Sequence, residues 1–205
     1  AMSAASIRHP NIVDVTDYLL RRRIVKACTA TGIKLTEYPS PYFLNTMTDV
    51  KTHCDKKKTY FQTGFYTEQR KKRNILLDGS GGPEGGQWTF DADNRMKFPK
   101  KEKVPVVNYP EENIIIKEAK KYVAKNFATH YGSIEKCIYP IDFAGAEKWL
   151  DDFFKERFEK FGIYEDAIVA KENFLHHSVI SPMLNIGLLE PQQIISKAIE
   201  ASVKY

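Results

Sequence analysis

The sequence predicts an α/β segment over residues 1–80, a long irregular linker over 81–112, and an all-α segment over 113–205. Three observations predict it. A helical period ending at Gly32 runs straight into "IKLTEY", whose alternation suits a strand. Pro83, Pro99, Pro105 and Pro110 then interrupt any regular period. Beyond them only helical spacings occur.

Taken in order, "DVTDYLLRRRIVKACTATG" predicts a helix with Tyr18, Leu19, Ile24, Val25 and Ala27 as its apolar face and Gly32 as its C-cap. Helix, tight turn and strand make half of an α/β repeat, so the strand at 33–38 enters a sheet that begins earlier. No second strand is evident in the first 80 residues. "KKTYFQTGFYTEQRKKRNILL" spaces Tyr60, Phe61, Phe65, Tyr66, Gln69 and Arg73 at helical intervals, which assigns the aromatics to a core-facing side. Among the C-terminal helices, "EENIIIKEAKKYVAKNFATHYG" offers Ile115, Ala119, Tyr122, Val123 and Phe127 as one face. "AGAEKWLDDFFKERFEKFG" presents Ala146, Trp149, Leu150, Phe153, Phe154, Arg157 or Phe158, and Phe161, with Asp142 as cap and Gly162 as terminator. "EPQQIISKAIEAS" starts on Pro191, a first-turn position, and turns Ile194, Ile195, Ala198 and Ile199 to one side.

A 42% hydrophobic and 28% charged composition is that of an ordinary globular chain, which argues against disorder. No run approaches the roughly 18 apolar residues of a membrane span, and "AMSAASIRHPNIVD" reaches Pro10 without a signal-peptide core. Cys28, Cys54 and Cys137 are odd in number and contain no CxxC, so neither a disulfide framework nor a metal site is expected. Reduced thiols and a cytoplasmic location follow as the default.

The net charge of +5 is unevenly placed. Lys56, Lys57, Lys58, Arg70, Lys71, Lys72 and Arg73 are opposed within their window only by Glu68. Such a cluster suits nucleic-acid phosphates, and interleaved aromatics suit base stacking. A solvated helix face explains the same charges. The glycine-rich "GSGGPEGG" at 79–86 fails both phosphate fingerprints. Gly86 is followed by Gln87-Trp88 rather than Lys-Ser or Lys-Thr, and the third glycine of GxGxxG is replaced by Glu84. "DADN" lacks the glycine and glutamate of a calcium loop. His176 and His177 are adjacent and diverge on a helix, so they do not share a metal. Ser178 and Ser181 leave two readings open: hydroxyls that hold an anion such as a cofactor diphosphate, or Ser178 as the N-cap of a buried helix.

Three segments together resemble one family, the iron–sulfur bacterial cryptochromes and photolyases, or deoxyribodipyrimidine photolyase-related proteins. They are "TYFQTGFYTEQRKKRNILLD", "GGQWTFDADNR", which is similar to the family's GGxWNFDxENR, and "FGIYEDAI…HHSVISPMLNIGLLEP", which is similar to TSxLSPxLxxGxLSP. The resemblance implies a partial Rossmann-like antenna domain, a linker, and the start of a helical FAD-binding domain. It implies a light-dependent flavoprotein, (6-4) photolyase-like or cryptochrome-like, passing an electron from reduced FAD to a UV lesion in DNA. Matched to the TSxLS stretch, His177, Ser178, Val179, Ile180 and Ser181 become the cofactor-binding residues, with His177 standing where the family carries Thr. Relatives are more than twice this length. A central fragment is therefore expected: catalytic residues, antenna lumazine ligands and the four cysteines of a 4Fe–4S cluster would lie outside it. The alternatives are a non-enzymatic nucleic-acid-binding module built on 56–73, or an inactive truncated remnant.

Overall fold

A computed structural model describes residues 8–55 and 57–203 of the chain. They divide into two compact units at Thr52/His53.

The first unit is a small βαβ. Strand β1 (Asn11–Val13) pairs in parallel with β2 (Thr36–Tyr38), in the register Asn11 to Thr36, Ile12 to Glu37 and Val13 to Tyr38. Helix α1 (Tyr18–Thr31) connects them. Its start is fixed by Asp17, whose carboxylate accepts the Leu20 N–H at 2.6 Å. Its end is fixed by Gly32 at φ 64, with the Ile33 N–H returning to the Cys28 carbonyl at 2.9 Å. Arg21 grips both oxygens of Glu37 at 3.0 and 3.1 Å, tying α1 to β2.

β1 supplies the earlier strand that "IKLTEY" requires, three residues too short to show a period. The expected apolar face of α1 is corrected. Tyr18, Leu19, Val25 and Ala27 are exposed; of the expected face only Ile24 is half-buried, and the buried residue of the helix is Cys28. Two strands offer too narrow a platform to cover a whole helix face.

Helix α2 (Met47–Cys54), which the sequence reading did not include, opens on a reciprocal cap. Asp49 accepts from the Thr46 N–H at 2.8 Å, and the Thr46 hydroxyl accepts from the Asp49 N–H at 3.2 Å. Helix α3 (Gln62–Arg73) ends on Asn74 at φ 52, a residue that tolerates the left-handed region. Tyr60 and Phe61 precede α3 and stand 68% and 70% exposed, so the assignment of that aromatic face to a core fails; Phe65 is its half-buried member.

From 74 to 113 the described chain forms turns and one isolated bridge, Leu77 to Pro83. Helix α4 (Ile114–Asn126) is capped by Asn113 and buries Ile116, with Val123 half-buried about two turns later. Ile115, Tyr122 and Phe127, assigned to its inner face, are exposed.

The main core forms on helix α5 (Phe143–Glu156). Asp142 caps it, accepting the Gly145 N–H at 2.7 Å. Ala146, Trp149, Leu150 and Phe153 are buried together with Met183 and Leu189. The stripe does not run unbroken to Gly162. Arg157 leaves the helical region at φ −131, between α5 and α6 (Phe158–Tyr164), and its buried side chain bonds the His177 carbonyl. Phe98, Tyr164, Ala167 and Leu175 form a second, smaller cluster. The short α7 (Ser181–Asn185) feeds α8 (Pro191–Ser202), which lies along α5; Lys197 pairs there with Asp151 and with Glu147.

Candidate functional site

The strongest convergence of polar groups surrounds residues 175–181, where the end of α5 clasps an extended segment. Arg157 donates through Nε to the His177 carbonyl at 3.1 Å. Its own carbonyl faces His176 Nδ1 at 3.3 Å, a reciprocal lock between the helix junction and the segment. One helical stretch upstream, the Trp149 indole N–H donates to the Val179 carbonyl at 3.1 Å. Val179 sits at φ 54, which costs an ordinary side chain about 1–2 kcal/mol. The indole bond and packing against the main core hold it there. A β-branched residue kept in the left-handed region is a mark of a functionally constrained backbone.

Ser178 is half-buried and precedes α7 by three residues, outside any helix. The first turn of α7 is entered from Ile180 without a side-chain cap, so the N-cap reading of Ser178 is corrected. Ser181 is the first residue of α7 and exposed, so the two hydroxyls do not share a helical face. His177 accepts the Leu175 N–H on Nδ1 at 3.1 Å, which fixes its remaining proton on Nε2. The segment therefore offers two hydroxyls and one imidazole N–H to a diphosphate. It contains no Lys or Arg from 177 to 190. The donor set fits a flavin diphosphate in hydrogen bonding, and its charge must be balanced by cations supplied from elsewhere.

The basic cluster divides by role. Arg70 is 7% exposed and donates to the carbonyls of Ile75, Leu76 and Trp88. Its guanidinium lies 5.6 Å from the Tyr66 ring and 5.1 Å from the Trp88 ring. Lys57 stands 2.9 Å from His53 Nε2, while Glu68 receives His53 Nδ1 at 2.6 Å and is held below its usual carboxylate range by that bond. Arg73 bonds the Gln69 side chain at 2.6 Å. Lys58, Lys71 and Lys72 are exposed, with Lys71 5.0 Å from the Trp88 ring. Lys56 lies outside the described residues.

The glycine-rich turn is filled by its own carboxylate. Asp78 accepts the Ser80 N–H, the Ser80 hydroxyl and the Gly82 N–H at 2.7 to 2.9 Å. The Ser80 hydroxyl, then the Ser80 and Gly82 amides, hold the Asp78 carboxyl below its ordinary value. A Cβ on Gly82 would lie 2.8 Å from Asp78 Oδ2, so any other residue there would displace the carboxylate from its present position. The residues that follow tie helices together. Trp88 stacks on the end of α3, while Asn94 accepts the Asp166 N–H at 3.2 Å and Met96 donates to the Ile163 carbonyl at 3.2 Å.

No three His, Cys, Asp or Glu side chains gather to hold a metal among the described residues. Cys28, Cys54 and Cys137 are free thiols and do not fit an iron–sulfur cluster, which takes four such ligands. No helix among the described residues is long and apolar enough to cross a membrane.

Sequence reasoning missed Trp149 as a polar anchor and Arg157 as the clasp. Both carried a signal: an indole N–H in a core stripe needs an acceptor, and a charge at an inward position needs partners. Asp78 stands just before the first glycine, outside both phosphate fingerprints.

Comparison with known proteins then adds the family. Over 171 residues the chain is 28% identical to a (6-4) photolyase of Agrobacterium fabrum, covering 82% of this chain and 33% of that protein. It is 40% identical over 95 residues to uncharacterized protein R852 of Acanthamoeba polyphaga mimivirus, covering 44% of this chain and 48% of that one. A 38-residue match to protein R853 of the same virus is 50% identical, covering 18% and 30%. The chain thus spans between 30% and 48% of the length of these relatives. Residues 1–139 match the family described as deoxyribodipyrimidine photo-lyase-related protein, and this chain belongs to that family.

Proposed function

We propose that the chain is a central piece of a light-dependent DNA-repair flavoprotein of the iron–sulfur (6-4) photolyase or cryptochrome type. The observation that carries this is the alignment of 82% of the chain with a third of a (6-4) photolyase. In this reading, residues 1–80 are the end of a Rossmann-like antenna domain, 81–112 the linker, and 113–205 the start of the helical FAD-binding domain. The βαβ of the first unit and the helical core on α5 support that order. Ser178 and Ser181 would donate to the FAD diphosphate, and His177 would add its Nε2–H. Trp149 and Arg157 hold the backbone that presents them. The flavin so held would supply electron-transfer chemistry toward a UV lesion in DNA; lumazine and cluster ligands would come from beyond this chain.

The test is FAD titration of the 205-residue chain by fluorescence quenching, with a blue-light repair assay on (6-4)-damaged oligonucleotide. Weak flavin binding, further weakened in the Ser178→Ala/Ser181→Ala double variant, with no repair, is the expected result. Flavin binding that the double variant leaves unchanged would remove the assigned residues. A nucleic-acid-binding module is favoured by one observation, the exposure of Lys58, Lys71 and Lys72. It predicts steeply salt-dependent DNA binding without any flavin effect. Neither flavin nor DNA binding is the outcome of an inactive remnant.

A further inference from the structure

Trp149 lies in the buried stripe of α5, 4% exposed, with its ring 6.3 Å from that of Tyr139, centroid to centroid. Phenylalanine could supply the ring packing. What tryptophan adds is the indole N–H, and that donor goes to the Val179 carbonyl. About two turns further along, Arg157 takes the His177 carbonyl. Side chains from one helix therefore hold alternate carbonyls of the segment that carries Ser178.

Among the described residues, Asn74, Leu76 and Val179 are the non-glycine positions at positive φ, and only Val179 is β-branched. A branched Cβ makes the left-handed region an outlier. Ile180 follows at φ −102 and ψ −10, in the right-handed region. A left-handed residue followed by a right-handed one turns successive backbone N–H groups toward one side, the geometry of an anion-binding concavity. Two properties of residue 179 thus oppose each other. Its amide and that of Ile180 converge only if the backbone stays left-handed, and a valine side chain resists that conformation. The Trp149 bond to the carbonyl of the same residue opposes the relaxation.

We propose that Trp149 is a positioning residue for the flavin diphosphate: its indole N–H holds Val179 in the left-handed turn, so that the Val179 and Ile180 amides and the Ser178 and Ser181 hydroxyls are arranged before the ligand arrives. This rests on the flavin reading of residues 177–181 and adds a dependence to it. Affinity is set by the groups that meet the diphosphate and also by a core side chain 30 positions upstream of Val179. The coupling runs through the backbone conformation of a single residue.

The probe is FAD, titrated into the 205-residue chain and followed by flavin fluorescence. Trp149→Phe keeps an aromatic ring in the core and removes the donor; it should bind FAD about three- to tenfold more weakly. Adding Val179→Gly to Trp149→Phe should return the affinity to within about twofold of wild type, because glycine enters positive φ without a steric penalty. Adding Val179→Ala should not, because alanine keeps the Cβ. Either truncation would deepen a merely structural loss, so rescue by glycine and not by alanine separates positioning from stability. In the unliganded wild-type chain the Trp149 indole N–H should be protected from exchange with solvent deuterium, a measurement that needs no variant. An unprotected indole overturns the proposal, as does equal recovery with alanine or no recovery with glycine. Wild-type FAD binding that Trp149→Phe leaves intact removes the proposal alone, whereas a wild-type chain without saturable FAD binding removes the flavin reading and the proposal with it.

Discussion

Replacing Arg70 by Met removes a guanidinium that serves three backbone carbonyls and lies against two aromatic rings. Met keeps the packing of the stem and spares the burial of a charge, so the low end of each contribution applies. Ile75 and Trp88 are half-buried and Leu76 is exposed, which lets water reach part of what is vacated. At about 1 kcal/mol per hydrogen bond and about 0.5 kcal/mol per ring contact, the loss is about 4 kcal/mol. For the unit at 53–205 this corresponds to a fall of about 8–16 °C in melting temperature. Arg70→Lys should recover little, because an ammonium cannot reach three divergent carbonyls as a planar fork does. Thermal denaturation followed by circular dichroism reads the effect, and DNA titration across salt concentrations runs beside it. Arg70→Met should leave the salt slope unchanged, whereas Lys71→Ala should reduce it if DNA binds. A variant that melts within about 2 °C of wild type and yet loses DNA affinity as Lys71→Ala does would refute the structural role.

Leu150→Ala opens a void beside Trp149 and Met183 in the main core, where Leu150 is wholly buried; denaturant titration should show a loss of about 3–4 kcal/mol, and a loss under about 1 kcal/mol would contradict that packing. Asp78→Asn should lower the melting temperature at pH 7. The folded pKa of Asp78 lies below its unfolded value, so its contribution is present above 3.8 and is lost as pH falls through the folded pKa; the gap between variant and wild type should close there. His176 has the opposite requirement. Its folded pKa is depressed, the unfolded chain takes up the proton first, and stability attributable to it falls as pH drops below 6.5; His176→Phe should flatten that limb of the melting profile.

The elements most legible in the sequence were those whose signals are local. Gly32, Asp142 and Pro191 mark helix ends by backbone chemistry that acts within a few residues, and each does so in the structure. The stripe of α5 was legible because a solid core covers all of it. The faces of α1 and α4 were not, since periodicity reports which side could be buried and says nothing of whether anything lies against it. β1 escaped because three residues carry no period, and α2 because its cap is followed by mixed polar residues. At 175–181 the hydroxyls were visible in the sequence, but their environment depends on Trp149 and Arg157, 20 to 30 positions away. No local pattern announces such a contact.

The Asp78 turn has a wider consequence. Its amides are served by a carboxylate two to four residues away along the same chain, a ligand that can never diffuse off. A free phosphate would compete as a dilute solute against a tethered rival whose effective concentration is on the order of millimolar or higher. The loop therefore behaves as an anion receptor sold with its anion, and loops of this composition elsewhere can be sorted by one question: whether an aspartate stands just before the first glycine.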